Sequence, residues 1–415
     1  MKALIPFVLL FPLLFCACKT SKISTNQKAS DAELRTHAEL LSKKYIITDG
    51  HVDLPYRLAV KNFRLSKELL GIPIDSGEGD FDYKRAKEGG LDAPFMSIYI
   101  PASYQKTGGA KLYADSLINL VQAIIKEHPD KFAAGNTPQQ IATNFKKGIL
   151  SLPMGMENGA PIEDDLANVQ YFFQRGIRYI TLTHSKDNQI CDSSYDDSHT
   201  YNGLSAFGRK VVAEMNRVGI MIDISHVSDS TFYQVMELTK APVIASHSSC
   251  RKFLPDFERN MNDDMIRKLA KNDGVIHINF GSTFIDLNVR ENNNKNRQKL
   301  RTLLTDKGVE ANSDAGKAII EKFRKENPSL YADVETVANH IDHVVSLVGV
   351  DHVGFGSDFD GVGDSLPTGL KDVSKFPNLI YVLLKRGYSE DDIAKICYKN
   401  TFRVWNQVQR VAGQM

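Results

Sequence analysis

The segment 219–249 constrains the fold of this chain more than any other stretch. It contains two short runs rich in β-branched residues, 220–225 and 242–246, and a histidine follows each of them, His226 and His247. The helix-length segment between the runs predicts a strand–helix–strand unit with parallel strands. Neighbouring strands lie about 4.8 Å apart, so the two imidazoles could meet over one point, as metal ligands do.

Similar runs recur along the chain and alternate with helix-length segments. The eight predicted strands are 45–48, 93–100, 149–156, 178–183, 220–225, 242–246, 274–280 and 352–357. This alternation predicts an α/β fold, a (β/α)8 TIM-type barrel. The charged stretch 288–330 is interpreted as an insertion between the last two units, and 375–408 as helices that close the barrel.

Composition places the chain among globular proteins, with 42% hydrophobic and 24% charged residues in 415. The net charge of +1 gives no electrostatic basis for binding nucleic acid. Past residue 30 there is no low-complexity linker, so we expect one domain over 31–415, with a helix over 31–44 that Asp31 could cap.

Residues 1–30 are interpreted as an export signal and a tether that lie outside the folded domain. Lys2 precedes an apolar run that is too short to span a membrane, and residues 1–17 are interpreted as a lipoprotein signal peptide. Cys18 would then carry the lipid, and 18–30 would be a flexible tether. We therefore expect a protein exported to the bacterial cell envelope and held at a membrane by its lipid anchor alone, with plain secretion or an uncleaved anchor as the alternatives.

Three cysteines remain after the tether: Cys191, Cys250 and Cys397. They allow at most one internal disulfide, which excludes a fold held together by disulfides. Cys191 and Cys250 each follow a histidine-bearing strand by a few residues, and a bridge between them is a hypothesis.

Ionisable residues fall where predicted strands end. In (β/α)8 barrels the active site lies at the carboxyl ends of the strands. Seven candidates occupy six such ends: His51, Asp53, Glu157, His184, His226, His247 and Asp358. His277, in contrast, lies inside a predicted strand and is interpreted as packed or hydrogen-bonded.

Imidazole combined with carboxylate suits zinc better than magnesium or calcium, which prefer oxygen shells. Side chains two apart on an extended chain share a side, so His51 and Asp53 could hold one ion. His226 and His247 could hold a second, with Glu157 between the two. The sequence thus predicts a two-zinc site.

Several stretches resemble the membrane dipeptidase (renal dipeptidase) family of binuclear zinc peptidases, within the amidohydrolase-like barrels. They are DGHVDLP at 49–55, GMENG at 155–159, RYITLTHS at 178–185, EMNRVGIMIDISHVS at 214–228, PVIASHSS at 242–249 and DHVGFGSDFDG at 351–361. The resemblance implies hydrolysis of dipeptides, with tolerance of a D-residue at the C-terminal position, and the same five zinc ligands.

The resemblance also implies roles for three further residues. His184 would contact the substrate and the developing oxyanion, Asp358 would act as general acid/base, and Arg259 would hold the substrate carboxylate, with Arg251 as the alternative. Asn158 and Ser357 stand where the family commonly has glycine, and we expect both to reshape the pocket wall.

Two other functions stay open at this point. Another metal-dependent amidohydrolase could act on an N-acyl amino acid, a lactam or a lactone, although many such enzymes have His-x-His where this chain has His51-x-Asp53. A non-catalytic lipid-anchored binding protein would need only a capture pocket. The oligomeric state is also open, with a homodimer as one option.

Overall fold

The computed structural model describes residue 1 and residues 29–61 and 74–415. Cys18 lies outside the described residues, and so does nearly all of the predicted signal peptide and tether. In the described part of the chain, no helix has both the length and the apolar character needed to cross a membrane.

Eight parallel strands form a nearly closed (β/α)8 barrel, as predicted. In barrel order they are β1 (Ile47–Val52), β2 (Leu91–Tyr99), β5 (Met154–Glu157), β6 (Ile177–Thr181), β7 (Met221–Asp223), β8 (Ile244–Ser248), β9 (Val275–Ile278) and β10 (Val353–Phe355). Backbone hydrogen bonds join the exits of the first and last strands, and one of them runs from the Asp53 N–H to the Phe359 carbonyl at 2.8 Å. This closure brings the exits of β1 and β10 together.

The predicted third strand, 149–156, is wrong as a single element. Its first part, β4 (Leu150–Leu152), pairs with β3 (Phe132–Ala134) in a separate two-stranded sheet, and only β5 joins the barrel. Pro153 stands between the two parts, and its missing N–H interrupts any continuous ladder.

Helices surround the barrel and cover its outer face. Their bounds are Asp31–Lys44, Leu54–Val60, Tyr83–Gly89, Tyr104–Thr107, Ala110–Glu127, Pro138–Lys146, Ala167–Arg175, Ala206–Val218, Asp229–Leu238, Asp263–Lys271, Ser282–Ile285, Leu287–Asp306, Asp314–Glu326, Val334–Val348, Phe376–Lys385, Glu390–Ala394 and Asn400–Ala412. With helices outside and side chains filling the interior, the barrel strands are buried along almost their whole length.

The first helix begins as predicted at Asp31, but the capping residue is Ser30. The Ser30 hydroxyl accepts a hydrogen bond from the Glu33 N–H at 3.3 Å, and the Glu33 carboxylate accepts one from the Ser30 N–H at 2.7 Å. Ser30 has the extended backbone that an N-cap needs, whereas Asp31 is already helical.

Two glycines allow the strands to approach inside the barrel. A Cβ atom at Gly50 or at Gly356 would lie 2.2 Å from the Ser246 carbonyl oxygen. His277 fills the space beside them, with Nδ1 3.0 Å from the Ala245 carbonyl and Nε2 2.9 Å from the Thr401 hydroxyl. The interpretation of His277 as a packed, hydrogen-bonded residue is confirmed.

The charged insertion folds as two helices, Leu287–Asp306 and Asp314–Glu326, between β9 and β10. Each helix buries a single residue, Val289 in the first and Gly316 in the second. The insertion therefore adds little to the core of the barrel.

The hypothesis of a bridge between Cys191 and Cys250 is wrong. Both are buried free thiols, and so is Cys397. The two residues belong to different backbone bridges, Cys191 with Leu204 and Cys250 with Met261, which fix them separately. The Cys250 thiol lies 3.5 Å from the His340 carbonyl instead.

Candidate active site

His51 and Asp53 leave β1 side by side. Nε2 of His51 lies 3.3 Å from Oδ2 of Asp53. On the other side of the ring, Nδ1 lies 2.9 Å from the hydroxyl of Tyr179, which donates to the Gly50 carbonyl at 3.1 Å. Because that hydroxyl has only one proton, it accepts from Nδ1–H, and Nε2 faces the site. Burial opposes a charge on this ring, but Tyr179, Glu157 and Asp53 raise the pKa of His51 well above its usual range.

Glu157, the last residue of β5, lies between His51 on one side and the pair His226 and His247 on the other. Oε2 is 3.4 Å from Nε2 of His51, whereas Oε1 is 3.1 Å from Nε2 of His226 and 3.3 Å from Nε2 of His247. Burial alone would raise the pKa of Glu157, but His51 and His184 hold it well below its usual range. The carboxylate thus presents one oxygen to each side while ionised.

His226 and His247 meet as the opening segment predicted. They come from the neighbouring strands β7 and β8, and their Nε2 atoms are 2.9 Å apart. Burial lowers the pKa of both rings well below the usual range, so both are neutral at pH 7. His226 reaches this position through a left-handed backbone with φ of +69°.

A hydrogen-bond chain fixes the ring of His247. The Ser246 hydroxyl donates to Oδ2 of Asp223 at 2.6 Å, and its oxygen is 2.7 Å from Nδ1 of His247. Since the hydroxyl proton is used on Asp223, Ser246 accepts from Nδ1–H, and Nε2 of His247 carries the lone pair.

These donors fit a zinc centre. Nε2 of His51 and Oδ1 of Asp53 are buried without a hydrogen-bond partner among the described residues, although buried polar atoms are almost always paired. Three overlapping groups have ligand atoms within 4.8 Å of one another: His51, Glu157 and His247; Glu157, His184 and His226; His51, Asp53 and Asp358. Nitrogen and carboxylate oxygen in this combination are typical zinc ligands.

Asp358 and His184 flank the predicted ligands. Burial raises the pKa of Asp358 to about 7, and its Oδ2 accepts a hydrogen bond from the Asn279 amide at 2.8 Å. Burial lowers the pKa of His184, whose Nε2 lies 3.6 Å from Oε1 of Glu157. A carboxyl that titrates near neutrality can both accept and release a proton.

Of the two candidate arginines, only Arg259 reaches the site. Its guanidinium donates to the His247 carbonyl at 2.8 Å and to the Ser248 hydroxyl at 2.7 Å, and it lines the cavity. Arg251 instead pairs with both carboxylate oxygens of Asp229, at 2.6 and 2.7 Å.

A cavity of about 840 Å³ opens above these residues. One wall is the carboxyl end of the barrel, and the other is the insertion. Asn158 and Ser357 do not line it, so the expectation that they reshape the pocket wall is wrong. Asn158 has a φ of +78°, which asparagine tolerates better than most residues, and its amide donates to the Ile100 carbonyl at 2.9 Å.

Sequence reasoning missed the residues that support the ligands. Tyr179, Asp223, Ser246 and Asn279 lie within or next to barrel strands, where they resemble ordinary strand residues. A polar residue at a barrel-facing strand position was the only available signal. The arginines of the insertion were missed as well.

A barrel whose strand ends bring imidazoles and carboxylates together is the architecture of a metal-dependent hydrolase. Residues 35–415 match the family model described as membrane dipeptidase, peptidase family M19. The chain belongs to this family of metallopeptidases, and it is an enzyme with the dipeptidase function of the family.

Individual proteins agree with this assignment. The chain is 30% identical to an uncharacterised dipeptidase of Schizosaccharomyces pombe, over 90% of this chain and 83% of that protein. It is 31% identical to dipeptidase 3 of Mus musculus, over 92% of this chain and 68% of that protein. A metallopeptidase of Rhodobacter sphaeroides, solved with a phosphinate mimic of the dipeptide L-Ala-D-Ala, shares the fold with a TM-score of 0.71 at 24% identity, covering 88% of this chain and 99% of the other.

Proposed function

We propose that this protein is a dipeptidase that uses two zinc ions. His51 and Asp53 would hold one ion, His226 and His247 the other, and Glu157 would bridge them. The observation that carries the proposal is the position of Glu157, whose two oxygens face His51 on one side and the His226 and His247 pair on the other. When bound, zinc ions act as Lewis acids and lower the pKa of water.

The side chains around the ligands supply binding and proton transfer. Arg259 pairs with the terminal carboxylate of the dipeptide, which fixes the distance from that terminus to the scissile bond. His184 contacts the carbonyl oxygen as negative charge develops on it. Asp358 accepts a proton from the attacking water and passes it to the departing amine, a task that suits its pKa of about 7.

Tolerance of a D-residue at the C-terminal position is part of the proposal. It follows the resemblance to the dipeptidase family, and the Rhodobacter sphaeroides neighbour was solved with a mimic of L-Ala-D-Ala. Arg259 lines the cavity of about 840 Å³ in which such a substrate would bind. L-Ala-L-Ala and L-Ala-D-Ala are therefore the first substrates to compare.

The test combines metal analysis with a substrate panel. The purified protein should contain two zinc ions per chain and release amino acids from both alanine dipeptides, but not from N-acetylalanine or a simple lactone. Glu157→Ala should abolish turnover and lower bound zinc, whereas Asp164→Ala, at an exposed carboxylate, should do neither. Full activity of metal-stripped Glu157→Ala protein would contradict the two-zinc proposal.

We also propose that the protein acts at the bacterial cell envelope, anchored by a lipid on Cys18. The apolar run followed by Cys18 supports this location. Wild-type protein should partition into the membrane fraction, and Cys18→Ser protein should leave it. A Cys18→Ser variant that stays membrane-bound would show that the lipid is not the anchor.

A further inference from the structure

The cavity above the strand ends has a cationic outer wall. The insertion contributes three charged side chains to the lining, and all three are arginines: Arg290, Arg297 and Arg324. The stretch 287–330 also contains six acidic residues, and none of them lines the cavity. The insertion therefore presents positive charge, and no negative charge, to the cavity.

These arginines have no carboxylate within 4.0 Å among the described residues, although many other arginines and lysines of the chain do. Arg290 is half-buried, with its guanidinium carbon 3.6 Å from the centre of the Phe257 ring. Arg297 and Arg324 are exposed. The stacking holds Arg290 in place, while the other two are free to turn toward a ligand.

The acidic residues of the cavity already have other partners. Asp53, Glu157 and Asp358 belong to the proposed zinc site. Asp360 pairs with Arg57 at 3.0 Å, and Asp364 lies 3.9 Å from the Lys371 ammonium and accepts a hydrogen bond from the Tyr331 hydroxyl at 2.7 Å. The positive charge of the outer wall is therefore not neutralised by the acids that share the cavity.

We propose that Arg290, Arg297 and Arg324 form a subsite that selects dipeptides with an acidic side chain. The inference rests on the proposed dipeptidase function, in which Arg259 takes the terminal carboxylate. Arginine binds carboxylate through paired charge-assisted hydrogen bonds, so the outer arginines match a second carboxylate at the far side of the substrate.

The test compares acidic dipeptides with their neutral amides of the same shape. We measure kcat/KM for Ala-Glu against Ala-Gln and for Glu-Ala against Gln-Ala, with Ala-Ala as reference. Wild-type enzyme should prefer the glutamate member of one pair by about tenfold, the effect expected of one charge-assisted contact. This preference should weaken as salt is added, because the arginines are close to solvent.

The double variant Arg297→Gln with Arg324→Gln should reduce the Glu/Gln ratio to near one. The matched control is Arg301→Gln, on the same helix as Arg297 but outside this cavity, which should keep the wild-type ratio. A wild-type enzyme that hydrolyses the neutral dipeptides without preferring glutamate overturns the subsite alone, as does a ratio that the double variant leaves unchanged. Failure to hydrolyse any dipeptide overturns the proposed function and the subsite with it.

Discussion

Arg57 and Asp360 form a buried ion pair, with Nε of Arg57 3.0 Å from Oδ1 of Asp360. Asp360 follows Asp358 by two residues, and both have left-handed backbones, with φ of +66° and +65°. The Asp360 carboxylate also accepts a hydrogen bond from the Asp80 N–H at 2.7 Å. The pair thus holds the strained loop that presents Asp358 to the cavity.

Removing one member of this pair should destabilise the protein. Arg57→Met leaves the Asp360 carboxyl buried without its partner, which should lower the free energy of unfolding by about 3 kcal/mol. The double variant Arg57→Met with Asp360→Asn should recover part of that loss, because no unpaired charge remains. Urea denaturation measures both, and equal stability of wild type and Arg57→Met would show that the pair contributes nothing.

The Ser246 hydroxyl should matter to metal binding although it is not a proposed ligand. Ser246→Ala removes the acceptor for Nδ1–H of His247, whereas Asp223 loses only one of its donors and keeps the N–H groups of Ser225 and residue 246. We expect zinc affinity to fall by about 10-fold to 100-fold, as is usual when a ligand loses its orienting partner. The zinc affinity of each variant is measured by competition with a chelator. Ser246→Thr keeps the hydroxyl and should stay near wild type; a weakening as large as that of Ser246→Ala would refute the orienting role.

The two arginines after β8 should respond differently to substitution. Arg259→Met removes the proposed carboxylate contact and should raise KM for Ala-Ala by about a hundredfold, the size of two lost charge-assisted hydrogen bonds. Arg251→Met breaks the pair with Asp229 and should lower stability with little change in KM. Steady-state kinetics on folded protein distinguishes the two, and a reversed pattern would assign the substrate contact to Arg251.

Two buried histidines away from the proposed ligands should make the fold sensitive to acid. Burial lowers the pKa of His277 and of His340 to about 4. Nδ1 of His340 accepts a hydrogen bond from the Cys250 N–H at 3.0 Å. Protonation of Nδ1 would therefore break this hydrogen bond and place two donors against each other. The unfolded chain takes up protons near pH 6.5 and the folded chain near pH 4, so stability is complete above pH 6.5 and falls between these values.

Each of these histidines should account for about 3 kcal/mol of that fall. His340→Gln should therefore lose less stability than wild type between pH 7 and pH 4.5, measured by denaturant unfolding. His199→Asn, at an exposed residue whose φ of +45° suits asparagine, serves as the control and should follow the wild-type curve. Parallel curves for wild type and His340→Gln would contradict the assignment.

The barrel was predictable because its strands are apolar runs at regular spacing, and its closure follows from having eight of them. The residues at which individual strands begin and end were less predictable. Pro153 divides one run between two sheets, and β7 ends at Asp223, three residues before His226, which has a left-handed backbone. Such local geometry depends on the neighbouring strands, which a single sequence does not show.

The convergence of the predicted ligands could be predicted because each lies at or just beyond the carboxyl end of a strand, and parallel strands bring these ends to one place. The positions of the residues that support the ligands could not be predicted. Ser246 adjoins His247 in sequence, but nothing there places it between Asp223 and the ring. Arg297 could not be assigned to the cavity either, since its position depends on how the insertion folds back over the barrel.

The insertion buries only Val289 and Gly316 along its two helices. Substitutions at its other positions therefore have little thermodynamic effect on the barrel, which folds around its own core. Evolution could alter the surface that a substrate meets on entering while the chemistry at the strand ends stays unchanged. Under the proposed subsite, a substitution in the insertion would change which dipeptides the enzyme prefers and leave the proposed zinc ligands in place.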